Sequence, residues 1–254
     1  MWGNRANARN GISRRNRTGR APISIKLYEL VGKDKSRPFS PHCWKTRMAL
    51  AHKRLDYEAV PVGFTEIAEI ENGGQTIVPV IRHGDRIIAD SFEIALHLRE
   101  AYPDRNGHLF QGEGSIALTR FVESWSQSQL HTWIFRWAAM DIYNMLDEAD
   151  QAYFRENREK RVGMTLEEFV SDREERAGQL QQILAPIRLM LKKQPYLGGK
   201  DPIFADYIPF GALQWLRICS GLAMWDKDDP VRDWFERLLD LHDGAGRSVP
   251  EAEG

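Results

Sequence analysis

The sequence predicts an α/β domain followed by an all-α domain, and three observations carry that expectation. Between Ile23 and Ala101, short apolar runs of strand period alternate with stretches of helical period, in the order β-α-β-α-β-β-α. From about Ile116 onward only helical spacing recurs. Between the two, Tyr102 to Gly114 collects Pro103, Asp104, Asn106, Gly107, Gly112 and Gly114, the composition of a linker. The expected division is a basic tail over 1–22, an α/β domain over 23–102, a linker over 103–114 and a helical domain over 115–254.

Each element has a local cause. Ile23, Ile25 and Leu27 alternate with Ser24, Lys26 and Tyr28, the period of a strand. After a polar loop, Gly32 to Arg37, Ser40-Pro41 opens a helix: Ser caps it, and Pro fits a first turn that needs no amide donor. Trp44, Arg47, Met48 and Ala51 carry helical spacing to Lys53, and Tyr57 to Val62 returns as a strand. Phe64 to Glu71 reads as a short helix ended by Gly73-Gly74. Ile77 to Ile81 is a strand interrupted by Pro79, joined to Arg86–Ala89 by the tight turn His83-Gly84-Asp85. Asp90 and Glu93 have capping-box spacing ahead of a helix that runs through Ile94, Leu98 and Ala101. The helical half reads as four segments: Ile116–Met145, Leu166–Lys193 with a kink at Pro186, Ala205–Leu222 and Val231–Leu241.

Composition narrows the function. The chain has 254 residues, 42% hydrophobic, with 35 basic and 36 acidic side chains. A net charge of −1 argues against nucleic-acid binding driven by a global field. No apolar run reaches the ~18 residues of a membrane helix. Two cysteines, Cys43 and Cys219, are too few for a disulfide framework or a cysteine-built zinc site, and fit a reducing cytoplasm. The first 22 residues hold six arginines and no acid, so the expectation there is a disordered extension. The seven histidines show no metal-ligand spacing, and Gly112-x-Gly114-x-x-Ala117 follows no strand, so it is not a dinucleotide loop.

Three short motifs remain as carriers of chemistry. Ser40-Pro41-His42-Cys43 sits at a helix N-terminus, where free amides and the macrodipole stabilise a thiolate or another anion. Ser in the exposed position rules out two-thiol redox cycling. Val78-Pro79 interrupts a strand, and a cis peptide there would turn the Val78 backbone toward a bound peptide. Asp90-Ser91 opens a helix, where a hydroxyl and free amides receive a carboxylate. Each motif read alone fits simple capping or turn chemistry as well.

In this order, within one β-α-β-α-β-β-α unit, the motifs resemble the glutathione transferase family: a thioredoxin-like domain, a linker and an all-helical domain. The resemblance extends from about Ile23 to Arg247 and includes Phe204-Ala205-Asp206-Tyr207. Leu27-Tyr28, Ser40 to Thr46, Gly63-Phe64-Thr65, Gly198-Gly199 and Asp229-Pro230-x-Arg232-Asp233-Trp234 are similar to the bacterial β-etherase and fungal A-class branch. That branch includes enzymes that cleave lignin-type β-aryl ethers with glutathione.

The resemblance implies glutathione as cosubstrate, Ser40 as the residue that hydrogen-bonds its sulfur, and Val78, Pro79, Asp90 and Ser91 as its binding residues. It implies a cytoplasmic homodimer acting in detoxification on a small apolar electrophile, with no metal, nucleic acid or membrane partner. Asp206 matches the buried acid of the family's folding motif. The capping position three residues earlier is Ile203, which cannot cap, so that motif is expected to be broken. Trp133 and Trp137 are the expected wall of the electrophile pocket. Tyr28 is expected to pack, His42 to be exposed on the first helical turn, and Cys43 to be an inward, inert thiol. Two rivals stand beside this reading: a non-catalytic glutathione or ligand carrier, and thiol exchange through Cys43.

Overall fold

The computed structural model describes residues 24–221, 225–226 and 228–252. The basic stretch 1–22, the expected strand start at Ile23 and the helix end at Leu222 lie outside the described residues. In the N-terminal half β1 (Ile25–Leu30) lies at the centre of a four-stranded sheet of order β2-β1-β3-β4. It pairs in parallel with β2 (Tyr57–Val62) and antiparallel with β3 (Val80–His83), which forms a hairpin with β4 (Arg86–Ala89). The parallel pair needs a crossover, and α1 (Pro41–His52) supplies it. Helix α2 (Ser91–Ala101) follows β4 and packs beside α1.

Strand β3 begins at Val80, three residues later than the sequence pattern suggests. The Val78-Pro79 peptide is cis and Pro79 has no amide to donate, so the ladder starts with Tyr28 opposite Val80. The capping box at α2 is also only half made. Asp90 Oδ1 accepts from the amides of Phe92 (2.8 Å) and Glu93 (3.1 Å). The Glu93 carboxylate turns away to Arg120.

The helical half starts with α3 (Glu113–Trp125), which passes through a π-helical turn, Ser126–His131, into α4 (Thr132–Met145). Helix α5 (Glu148–Val162) has no counterpart in the sequence reading, because only Asp150 and Phe154 of its fifteen residues are buried. The expected helix over 166–193 is instead a chain of short ones: α6 (Leu166–Val170), α7 (Gln179–Ile183) and α8 (Ala185–Leu191). Pro186 stands in the first turn of α8 rather than kinking a longer helix. Helix α9 (Phe204–Cys219) and α10 (Pro230–Gly244) complete the domain.

The two halves share one hydrophobic core. Helix α9 runs against α1 so closely that a Cβ on Gly211 would lie 2.4 Å from the Pro41 carbonyl oxygen. Lys45 on α1, fully buried, pairs with Glu123 on α3 at 3.0 Å. The linker docks as well: Leu109 and Phe110 are buried, and the Leu109 carbonyl accepts from the Phe204 amide at 2.9 Å.

Ile203 provides no acceptor at the start of α9, yet the helix still begins at Phe204. The Asp206 carboxylate accounts for this. It accepts from the backbone amides of Leu197 (2.7 Å), Gly198 (3.0 Å) and Ile203 (3.1 Å), and from Trp234 Nε1 (3.0 Å). The motif loses one side-chain cap and keeps its buried acid, so the helix boundary does not move.

Candidate active site

Ser40 is placed by the loop that precedes it. Val31 bridges Pro38, the Phe39 amide donates to the Leu30 carbonyl at 3.2 Å, and buried Trp44 donates from Nε1 to the Pro38 carbonyl at 3.0 Å. This closed loop delivers Ser40 to the start of α1. There its Oγ accepts from the Cys43 amide at 3.4 Å. Ser40 is only 4% exposed and lines a cavity of about 1000 Å³. Its hydroxyl also lies within hydrogen-bond reach of the buried Cys43 sulfur, so a sulfur in the cavity competes with that thiol for the Ser40 proton.

Val78 lines the same cavity and stands outside the β3 ladder, with its backbone uncommitted to the sheet. Asp90 holds φ at +73°, a region that disfavours residues with a Cβ, while its carboxylate caps α2. Ser91 beside it is buried, and its Oγ has no partner among the described residues. Ser91 Oγ is therefore a donor without an acceptor, at a helix N-terminus whose Phe92 and Glu93 amides are already capped by Asp90.

The competitors of Ser40 are committed elsewhere. The Tyr28 hydroxyl donates to Glu71, and burial together with that carboxylate pushes its pKa up to about 12. Cys43 is fully buried, and desolvation, with the Glu29 charge adding to it, pushes its thiol up to about 12. A thiol held neutral in the core is a poor nucleophile, which removes the structural basis for thiol exchange.

His42 is not the exposed first-turn residue the sequence suggests. It is half-buried on the cavity wall and stacks on His131, with ring centroids 5.3 Å apart. Desolvation, then the charges of Lys45 and His131, hold its pKa well below the usual imidazole value. His131 sits in the π-helical turn, and burial with the nearby Lys45 charge lowers it to about 3. Its Nδ1 lies 3.0 Å from the Ser126 carbonyl, an acceptor, so Nδ1 carries the proton.

Trp133 and Trp137 correct the expectation for the pocket wall. Neither lines the cavity. They stack on each other at 5.4 Å inside the helical domain. Trp133 Nε1 donates to the Arg176 carbonyl at 3.2 Å and Trp137 Nε1 to Ser220 Oγ at 3.1 Å. The face of α4 that meets the cavity instead carries Thr132, Phe135 and Arg136. Phe64, Phe154, Phe169 and Trp215 add further aromatic wall. On α5 the cavity meets Asn157, Arg158 and Arg161, residues the sequence reading passed over together with that helix.

A helix-capping serine, a cis-proline turn and an apolar cavity thus meet at the seam between a small mixed sheet and a helical domain. Comparison with known proteins gives this arrangement a family. The model of the glutathione S-transferase N-terminal domain matches residues 36–106, and that of the C-terminal domain matches residues 117–241. The chain belongs to the glutathione S-transferase family. Glutathione S-transferase Z1 of Arabidopsis thaliana is 38% identical over 65 residues, 24% of this chain and only 29% of that relative's length. Among solved structures, glutathione transferase GSTFuA3 from Phanerochaete chrysosporium is 26% identical with a TM-score of 0.71, over 92% of this chain and 100% of that one. A glutathione S-transferase of Ceriporiopsis subvermispora, solved in complex with glutathione, has a TM-score of 0.74 at 22% identity, over 90% of this chain and 100% of that one. FzlA from C. crescentus shares the fold at a TM-score of 0.65 and 16% identity, over 91% and 96% of the two chains. Among the described residues, no helix is long and apolar enough to cross a membrane, and no cluster of side chains could hold a metal ion.

Proposed function

We propose that the protein binds glutathione at the N-terminus of α1 and transfers its thiolate to a small electrophile with an aromatic body. The observation that carries this reading is Ser40: a buried hydroxyl, fixed at a helix N-terminus and lining the cavity. Glutathione fits the surrounding residues. The Val78 backbone outside the ladder suits its cysteinyl peptide, with Pro79 fixing the turn. Asp90 and the unpartnered Ser91 Oγ suit its γ-glutamyl end.

The chemistry requires little more from the chain. The Ser40 hydroxyl donates to the sulfur and the positive end of α1 favours its negative charge, so the thiol loses its proton to solvent near neutral pH. The cavity then orients the electrophile. A sulfur–carbon bond forms while the leaving group departs with its electron pair. With an aryl ether as electrophile, the leaving group is an aryloxide and the product a glutathione thioether, which is β-aryl ether cleavage. The homodimer implied by the family resemblance would cover Leu118 and Phe121, which lie three residues apart on α3 and are each 70% exposed.

The test is a thermal melt of the full chain with and without millimolar glutathione, followed by assay against halogenated arenes and β-aryl ether models. Glutathione should raise the melting temperature by mass action, and an aromatic electrophile should turn over. An unchanged melt would overturn both glutathione binding and catalysis. A shift without turnover on any electrophile would leave a carrier.

A further inference from the structure

The arginines around the cavity fall into two groups. Some are neutralised: Arg136, on the cavity wall, pairs with Asp172 at 3.2 Å, and Arg155, on α5 outside the lining, pairs with Glu159 and Glu167, both at 2.8 Å. Arg158 and Arg161 are different. Among the described residues neither lies within ion-pair distance of a carboxylate, although α5 itself carries several acids. Among the same residues, the Arg158 guanidinium donates to Asn157 alone.

These two like charges stand three residues apart on one helix, an arrangement that costs stability unless something compensates it. Both also lean onto the aromatic lining. The Arg158 guanidinium lies 5.7 Å from the Phe64 ring and 5.2 Å from the Phe154 ring, and that of Arg161 lies 5.0 Å from Phe135. All three rings line the cavity. Arg158 is half-buried; desolvation and the neighbouring Arg161 charge lower its pKa, as expected of a cation without a counter-charge.

We propose that Arg158 and Arg161 form an anion subsite on the helical-domain wall of the cavity, so that the preferred electrophile is an aromatic carboxylate. The aromatic body stacks among Phe64, Phe135 and Phe154, and the carboxylate takes the two guanidinium forks. Arginine suits this use, since its planar donors match a carboxylate and its face stacks on rings. This rests on the transferase reading above, because it names the substrate class of that cavity.

The experiment compares para-(bromomethyl)benzoate with its neutral methyl ester as electrophiles for the full chain with saturating glutathione. In both, sulfur bonds to the benzylic carbon and bromide leaves with the carbon–bromine electron pair, so only the remote charge differs. The carboxylate should show a KM about tenfold below that of the ester, and added salt should erode the difference. In the Arg158→Gln/Arg161→Gln double variant that preference should vanish through a KM that rises far more for the carboxylate than for the ester, with the affinity for glutathione unchanged. Arg158→Lys/Arg161→Lys, which keeps both charges, should recover part of it.

Equal KM values in the unsubstituted protein would overturn the proposal, and so would an equal loss on both electrophiles in the Gln variant. Weakened glutathione binding in that variant would assign the pair to a carboxylate of glutathione and overturn it too. A binding readout separates this failure from failure of the transferase reading. Unreactive para-toluate should stabilise the protein against heat more than para-toluamide does, and only when both arginines are present. That difference does not depend on glutathione binding or turnover.

Discussion

The Asp150 carboxylate accepts from the Phe64 amide at 2.8 Å through Oδ2, and from the Thr65 amide (2.8 Å) and hydroxyl (2.9 Å) through Oδ1. The residue is buried, and a Cβ on Gly63 would lie 2.5 Å from its Oδ2, so the loop 63–65 closes tightly over it. Phe64 is part of the cavity wall. One carboxylate from α5 therefore sets the position of a cavity residue more than eighty residues away in sequence. Asp150→Asn presents an amide N–H where a donor must be accepted, and leaves a buried group unsatisfied. The expected cost is about 2–3 kcal/mol of folding stability, measured by urea denaturation. A change within about 0.5 kcal/mol would show that water replaces the carboxylate there. The sequence motif Gly63-Phe64-Thr65 was readable, but its partner was not. Nothing local marks Asp150 as different from the other acids on α5.

At the scale of elements, the contact between α1 and α9 fixes the helix end that carries the chemistry. Gly211 makes that contact possible, and its reason lies in the closeness of the Pro41 carbonyl rather than in backbone freedom. Gly211→Ala should favour the isolated helix by up to ~1 kcal/mol through propensity. The clash with Pro41 opposes this and should outweigh it, leaving a net loss of roughly 1–3 kcal/mol. Because the displaced group is the first turn of α1, glutathione affinity should fall with stability. Denaturation and binding titrations on this variant check both, and a net gain in stability would mean that α9 shifts without cost.

Element identity was legible where period and caps agreed. Strands β2 and β4 run where alternation placed them, and Ser40-Pro41 opens α1. Helix α5 escaped because its face toward the core is two residues wide, although Asp147 and Gly163 cap its ends as expected of a helix. The stretch 166–193 kept its helical spacing but broke into short helices, a tertiary outcome that periodicity does not encode.

For the whole molecule, the family was nameable from motif order, and the same motifs offered Ser40, Val78, Pro79, Asp90 and Ser91 as candidate site residues. The cavity was not. Which face of α4 meets the seam depends on how the helical domain docks, and docking put Phe135 and Arg136 there while Trp133 and Trp137 went to the interior. His42 likewise moved from an expected surface position onto His131, because the π-helical turn before α4 brings that ring to the first turn of α1.

The central claim is that Ser40, and not Cys43, activates the sulfur of glutathione. Steady-state kinetics of Ser40→Ala and Cys43→Ala with one aromatic electrophile tests it most directly. Loss of one charge-assisted hydrogen bond, at roughly 1.5–3 kcal/mol, should cut the turnover of Ser40→Ala ten- to a hundredfold. Its affinity for glutathione should change little, because Val78, Asp90 and Ser91 still hold the peptide. Cys43→Ala should keep nearly full activity, since its buried thiol stays protonated. An inactive Cys43→Ala beside a fully active Ser40→Ala would contradict the claim.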